Sequence, residues 1–479
     1  MNRNNLLGHL TLALTIILIA AFAGQLRRWD RHRHKAPCST TSRAFLTDRK
    51  VDLEGVKNKA EVLVRFRSGV TEEAKRRIAY RLNDNIENEI ESVNGLVFID
   101  DLDNADPQAV ADEYLKMKDE VEYAEPNFTI SLEPLDGELT NPGRTEPSDL
   151  VSGKLPDDPM FNEQWSLANS GQRGGKARAD ISATLAWDKK TTGSEDVVVA
   201  VLDSGVDYRH QDLMQNMWER PGNVAAYYDD QLGYVDDLNG YDATSVGGDP
   251  MDENGHGTHC AGIIGADGNN GIGIAGINWR VKIMPLKFMS KGGFGSTKDA
   301  VEAINYVINR KEAGVNVRII SASWGSTQKS QALEDVIRAA GQAGILFVAA
   351  SGNASANADK SPHYPASFEL PNVISVAALN RIDELASFSN FGAKRVHIAA
   401  PGAEILSTWL NGDFREASGT SMATPEVAGV AALVLSVEPN LTMEELRARL
   451  LKSIDKLPGL KGKVSSGGRI NAARAVGAE

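Results

Sequence analysis

The chain has 479 residues, more than one ordinary domain holds, with 42% hydrophobic and 24% charged residues, so two folded units plus tails are expected. That balance excludes a disordered, collagen-like or multi-span membrane chain. A formal net charge of −13 excludes nucleic acid as the main partner, because a phosphate-binding surface needs excess lysine and arginine.

In chain order, Arg3 precedes an apolar run from Leu10 to Ala23, broken only by Thr11 and Thr15. Ala21-Phe22-Ala23 has the small-x-small form of a signal peptidase site. The run is short for a spanning helix, which needs about 20 residues. Arg27, Arg28, Arg31, Arg33 and Lys35 follow at once, and positive charge there favours retention. Residues 1–24 therefore read as a cleaved signal peptide or a membrane anchor. Residues 25–59 read as a basic tether. Either way the rest is expected outside the cytoplasm, secreted or membrane-tethered. The two cysteines, Cys38 and Cys260, lie in segments of different character and show no zinc spacing. No disulfide framework holds the fold.

Residues 60–130 read as a small α+β domain. Glu61–Phe66 alternates apolar and polar as a half-buried strand does. Thr71–Leu82 is helix-compatible, Leu96–Ile99 a second strand, Ala109–Lys118 a second helix, and Val121–Asn127 closes a β–α–β–α–β order. Residues 131–155, rich in Pro, Gly, Asp, Glu and Ser, form a linker. From residue 156 to 479 continuous apolar runs at 197–202, 317–320, 345–349 and 373–377 suit buried parallel strands. Between them lie amphipathic segments such as Ser296–Arg310, with Ala300, Ala303, Ile304, Val307 and Ile308 on one face. The expected fold is α/β, a parallel sheet flanked by helices.

Three segments carry candidate chemistry. In Ala200-Val-Leu-Asp203-Ser-Gly205, a buried strand delivers an aspartate at its carboxyl end; a turn cap is the plain alternative. In Asn254-Gly-His256-Gly-Thr-His-Cys260, flanking glycines let the backbone bend where a helix begins; a structural histidine is the alternative. In Ser418-Gly-Thr-Ser421-Met-Ala-Thr-Pro425, a serine enters the first turn of an apolar helix reaching about Leu435. Free N–H groups there suit an oxyanion, and an N-cap serine is the alternative.

Together these segments resemble the Asp, His and Ser boxes of the subtilisin family, in that family's order. The resemblance covers residues 156–479. It implies a subtilisin-like catalytic domain in which His256 takes the Ser421 proton and Asp203 orients the imidazole. Asn353, in Ala349-Ala-Ser-Gly-Asn353, is similar to the family's oxyanion-hole residue. Ser323, Trp324 and Gly325, with Gly293, Phe294 and Gly295, are similar to the edge strands that pair with an extended peptide. Trp324 stands where a smaller aliphatic residue is usual and is expected to reshape a side-chain pocket. Cys260, one helical turn after His256, is expected to be a buried small hydrophobe.

The resemblance also implies a structural calcium ion. Asp158, Asp212 and Asn270 would supply side-chain oxygens, and Gly268, Ile272 and Ile274 carbonyls, the oxygen-rich set that Ca²⁺ takes. The acidic pairs at 229–230 and 236–237 suggest a second ion or a solvated loop. Residues 60–130 resemble the subtilisin propeptide, a ferredoxin-like folding aid and intramolecular inhibitor, with self-cleavage expected between about Ser131 and Lys154. One departure stands out: the box after the serine, usually Pro-His-Val, reads Pro425-Glu426-Val427. The expectation is a monomeric serine endopeptidase zymogen acting on protein or peptide substrates with broad specificity. The alternatives are a narrow processing protease and a catalytically dead peptide-binding protein.

Overall fold

The structure, a computed structural model, describes residues 60–132, 152–229, 233–244 and 248–479. The expected signal or anchor, the basic tether with Cys38, the central part of the linker and Asp230 lie outside the described residues.

The first sheet takes β1 (Ala60–Phe66), β2 (Asp84–Glu89), β3 (Leu96–Asp101) and β4 (Val121–Pro126) in the antiparallel order β2-β3-β1-β4. Helix Glu72–Arg81 is capped by Thr71 and helix Pro107–Tyr114 by Asp106. The unit is therefore β–α–β–β–α–β, one strand more than the pattern suggested. β2 reads Asp-Asn-Ile-Glu-Asn-Glu; a polar edge strand shows no apolar run. The second helix starts and ends earlier than expected because Asp106-Pro107 supplies an N-cap and a first-turn proline. Val62, Val64, Phe66, Val97 and Ile99 pack against the two helices. The opposite face, with Leu63, Leu96 and Phe98, joins an apolar cluster built from the larger sheet and its helices.

Past β4, strand β5 (Thr129–Ser131) leaves this sheet. The larger sheet begins with β6 (Gly193–Asp203). A hairpin of β7 (Tyr228–Asp229) and β8 (Gly233–Tyr234) stands apart. Then come β9 (Tyr241–Asp242), β10 (Arg280–Lys287), β11 (Phe294–Ser296), β12 (Val317–Ala322), β13 (Leu346–Ala350), β14 (Val373–Leu379), β15 (Ile398–Pro401), the β16 (Ile405–Trp409) and β17 (Asp413–Ala417) hairpin, β18 (Ile454–Lys456) and β19 (Gly468–Ile470). Nine of these form one sheet in the order β18-β19-β15-β14-β13-β12-β6-β10-β9. All neighbours are parallel except β18 and β19. In β6 the period of two sends Val197, Val199 and Val201 to one core and Val198, Ala200 and Leu202 to the other. Helices cover both faces, so the strand is apolar throughout.

The strand order reverses direction at β6, where β10 lies on one side and β12 on the other. Crevices for ligands open at such switch points, at the carboxyl ends of the strands. Asp203 ends β6, Ser323 follows β12, and Asn353 lies just beyond β13.

Candidate active site

Asp203 and His256 are buried. The imidazole Nδ1 lies 2.8 Å from Asp203 Oδ1; a carboxylate only accepts, so Nδ1 is the donor. His256 opens helix His256–Gly265 behind Gly255, whose φ of +106° no side chain favours. At Gly257 a Cβ would overlap the Gly205 carbonyl, so glycine is what lets this helix close on the Asp203 turn. Burial alone lowers the His256 pKa, but the charge and hydrogen bond of Asp203, and the charge of Asp252, raise it above its ordinary value.

Asp252 was not singled out from the sequence. Its carboxylate accepts from Ser204 Oγ at 2.9 Å, the amides of Asn254 and Gly255 at 2.8 and 3.0 Å, and Thr258 N and Oγ1 at 3.0 and 2.6 Å. Ser204 Oγ in turn accepts from Gly257 N at 3.0 Å. One buried anion thus ties the Asp203 turn to the start of the His256 helix. An acid four residues before His256 is a helix-start signal, and it could have been read as one.

Ser421 is the second residue of helix Thr420–Val437. Pro425 has no N–H to give to the carbonyl four residues back. The Ser421 carbonyl is instead satisfied by Ser323 Oγ at 2.7 Å, with Cys260 Sγ at 3.5 Å. The Ser421 hydroxyl donates to Ser323 O at 2.9 Å. His256 Nε2 is buried and takes no hydrogen bond among the described residues. The expected imidazole–hydroxyl bond is therefore not formed in this arrangement; the hydroxyl has turned to a nearby carbonyl. Catalytic hydrogen bonds commonly tighten only once substrate is bound. Asn353 Oδ1 accepts from Thr420 N at 2.8 Å and Thr420 Oγ1 at 2.9 Å. These bonds orient the carboxamide from the helix that carries Ser421, another role for a residue the sequence did not mark. Burial pushes the Cys260 thiol pKa well up, as a small hydrophobe requires.

The chain lays part of itself along the expected peptide track. β5 pairs antiparallel with β11, Ile130 opposite Gly295 and Phe294 opposite Ser131. Leu132 N donates to Gly293 O at 2.8 Å, and Ser131 bridges antiparallel to Gly325. Ile130 is buried in the apolar cluster that also takes Trp324. The Trp324 indole, 1% exposed, donates to Leu202 O at 2.8 Å and lies 4.7 Å from the Phe288 ring. The preceding domain is fastened close by. Glu125 accepts from Ser330 Oγ, Gln331 N and Ala332 N at 2.5, 2.8 and 3.1 Å, capping helix Gln331–Gln342. Asn127 Oδ1 takes Lys298 N at 2.9 Å.

Of the calcium candidates, Asp158, Asp212 and Asn270 meet at one loop, Asn270 presenting its side-chain nitrogen to Asp212 in place of the expected oxygen. Asp158 accepts from Asn269 N at 2.7 Å, and Asp212 from Asn270 Nδ2 at 2.8 Å and Ile274 N at 3.0 Å. Both carboxylates are buried against the loop that holds Gly268, Asn270, Ile272 and Ile274. Burial pushes the Asp212 carboxyl up to about 7; the Ile274 and Asn270 hydrogen bonds oppose this and the charges of Asp158 and Asp267 add to it. Two buried acids that repel each other fit a hard dication. Of the second acidic stretch, Asp237 is buried against Arg220 and Arg310, at 2.8 and 3.1 Å, so guanidinium groups meet its charge.

Comparison with known proteins agrees with this geometry. The model of the subtilase family (peptidase S8) matches residues 194–472. A thermophilic serine proteinase of a Bacillus species (strain AK1) is 37% identical over 318 residues, 66% of this chain and 71% of that protein. Subtilisin-like protease 1 of Plasmodium berghei is 33% identical over 339 residues, 67% of this chain and 54% of the relative. Subtilisin-like protease 2 of Plasmodium falciparum is 36% identical over 299 residues, 61% of this chain and 21% of the relative. The chain thus spans about half or less of these two Plasmodium proteins.

Proposed function

The chain belongs to the subtilase family and is a subtilisin-like serine peptidase, and on that premise we propose that it is an endopeptidase made as a self-processed zymogen. Ser421 is the nucleophile, His256 the general base and then acid, and Asp203 the group that orients and stabilises the imidazolium. Asn353 and the Ser421 backbone N–H receive the oxyanion. The observation that carries this reading is the buried Asp203–His256 pair beside a helix start that presents Ser421 and holds Asn353 by its oxygen. A fluorophosphonate probe is expected to label Ser421. Absence of labelling in wild type refutes it and favours a peptide-binding protein without activity, and labelling that persists in Ser421→Ala refutes Ser421 as the nucleophile.

Pairing of β5 with β11 and Gly325 supports residues 60–132 as an inhibitory propeptide whose end occupies the cleft. Main-chain pairing is tolerant of sequence, which favours broad specificity along most of the peptide. Self-cleavage falls after Ser131 and before about Lys154. The mature enzyme acts outside the cytoplasm as a monomer. Calcium bound by Asp158, Asp212 and the 268–274 loop would supply structural cross-linking and no step of catalysis. Chelator is expected to lower the melting temperature of the mature enzyme, and an unchanged melting curve removes the ion from the account.

A further inference from the structure

We propose that His363 selects the substrate side chain on the acyl side of the scissile bond and that the preferred side chain is acidic, glutamate above all. This rests on the peptidase reading and on the track taken by residues 129–132.

Ser131 and Gly325 are opposed in an antiparallel bridge, so movement from Thr129 to Leu132 runs along the other strand from Gly325 towards Ser323. Ser323 touches the nucleophile through two hydrogen bonds. A peptide on this track therefore presents the residue after the Leu132 position to Ser421. Residues directly opposed in an antiparallel pair send their side chains to the same face. A Cβ built on Gly325 would run into His363 Nε2, so the face of Ser131 is the His363 face. Side chains alternate with a period of two along an extended peptide. The residue two beyond Ser131, the one presented to Ser421, faces His363 again.

The opposite wall leads to the same ring. A Cβ on Gly352, the neighbour of Asn353, would stand 3.1 Å from His363 ring carbons. The imidazole thus lies between two glycine walls, one beside the peptide strand and one beside the oxyanion residue. Its own loop is pinned there. Tyr364 exchanges backbone hydrogen bonds of 2.8 and 2.7 Å with Ser326, and His363 N donates to Ser367 Oγ at 3.0 Å. His363 is 5% exposed. The ring packs directly against the Gly325 backbone and, beside Asn390 Nδ2, against Gly352, so its edge stands on the face that the side chain presented to Ser421 shares. An imidazole N–H donates to a carboxylate more strongly than to a neutral acceptor. Glutamate carries its carboxylate at the end of a side chain long enough to meet that ring edge. In the sequence Leu132 is followed by Glu133, the residue type proposed for this position of the substrate.

The test uses the full chain after self-processing and two reporters, Ile-Ser-Leu-Glu and Ile-Ser-Leu-Leu, each with a chromogenic amine as leaving group. Wild type is expected to show kcat/KM at least about tenfold higher on the glutamyl reporter. H363L and H363Q should lower the Glu/Leu ratio by about tenfold or more while keeping fluorophosphonate labelling, which reports an assembled site. A wild-type preference for leucine overturns the inference and leaves the peptidase reading intact, as does a ratio unchanged within about twofold in a labelled variant. No turnover and no labelling of wild type overturns the peptidase reading, and this inference with it.

Discussion

Glu426 lies five residues past Ser421 on helix Thr420–Val437, fully buried, and neither carboxyl oxygen makes a hydrogen bond of good geometry. Burial pushes its carboxyl from an ordinary 4.5 up to about 8; the nearby Ser166 hydroxyl opposes this and the charge of Asp180 adds to it. A carboxyl whose pKa rises on folding contributes stability that is fully present below about 4.5 and is lost as pH climbs to about 8. A tenfold change in proton affinity is worth about 1.4 kcal/mol, so the loss is about 3 kcal/mol at pH 7 and about 5 kcal/mol above pH 8. Glu426→Gln has nearly the same shape and never ionises. Its advantage over the parent should therefore grow with pH at about 1.4 kcal/mol per pH unit and level off above pH 8. Guanidinium unfolding of both proteins at pH 5.5, 7 and 8.5, in a Ser421→Ala background that prevents self-digestion, measures the difference directly. All other titrations cancel between the two. A Gln-minus-Glu difference that is flat with pH refutes an uncompensated carboxyl in this core.

Asn353→Ala should lower kcat by about 10²–10³ with little change in KM, the loss known for the oxyanion-hole asparagine of subtilisin itself; a fall in KM-dependent binding alone would contradict the assignment. Asp252→Asn removes a negative charge that raises the His256 pKa, so the acid limb of the kcat/KM profile should move to lower pH, with turnover down about tenfold from the loosened helix start. A merely structural role would lower activity without moving that limb. A mercurial that modifies Cys260, whose sulfur lies 3.5 Å from the Ser421 carbonyl, should inactivate partially, and full activity after complete modification contradicts that expectation.

The sequence by itself determined the fold class and marked the candidate site residues. The boxes around Asp203, His256, Ser421 and Asn353 are local, because each needs a strand end, a bend or a helix start that neighbouring glycines and apolar runs encode. The central strands were legible for the same reason: burial on both faces leaves a continuous apolar run. β2 was not, since an edge strand is stabilised by pairing with β3 and keeps polar side chains. What only the tertiary structure decided depends on residues brought together from far apart in the chain. Asp252 became a tie between two catalytic segments. Thr420 became the holder of Asn353, and Glu426 a buried acid. Thr129–Leu132, a stretch with no distinctive pattern, became a strand in the cleft because unpaired main-chain groups of β11 and Gly325 take any extended partner. His363 came to stand against Gly325 and Gly352 through a turn anchored to Ser326. Distance in space, set by packing, carries no periodic signature along the chain.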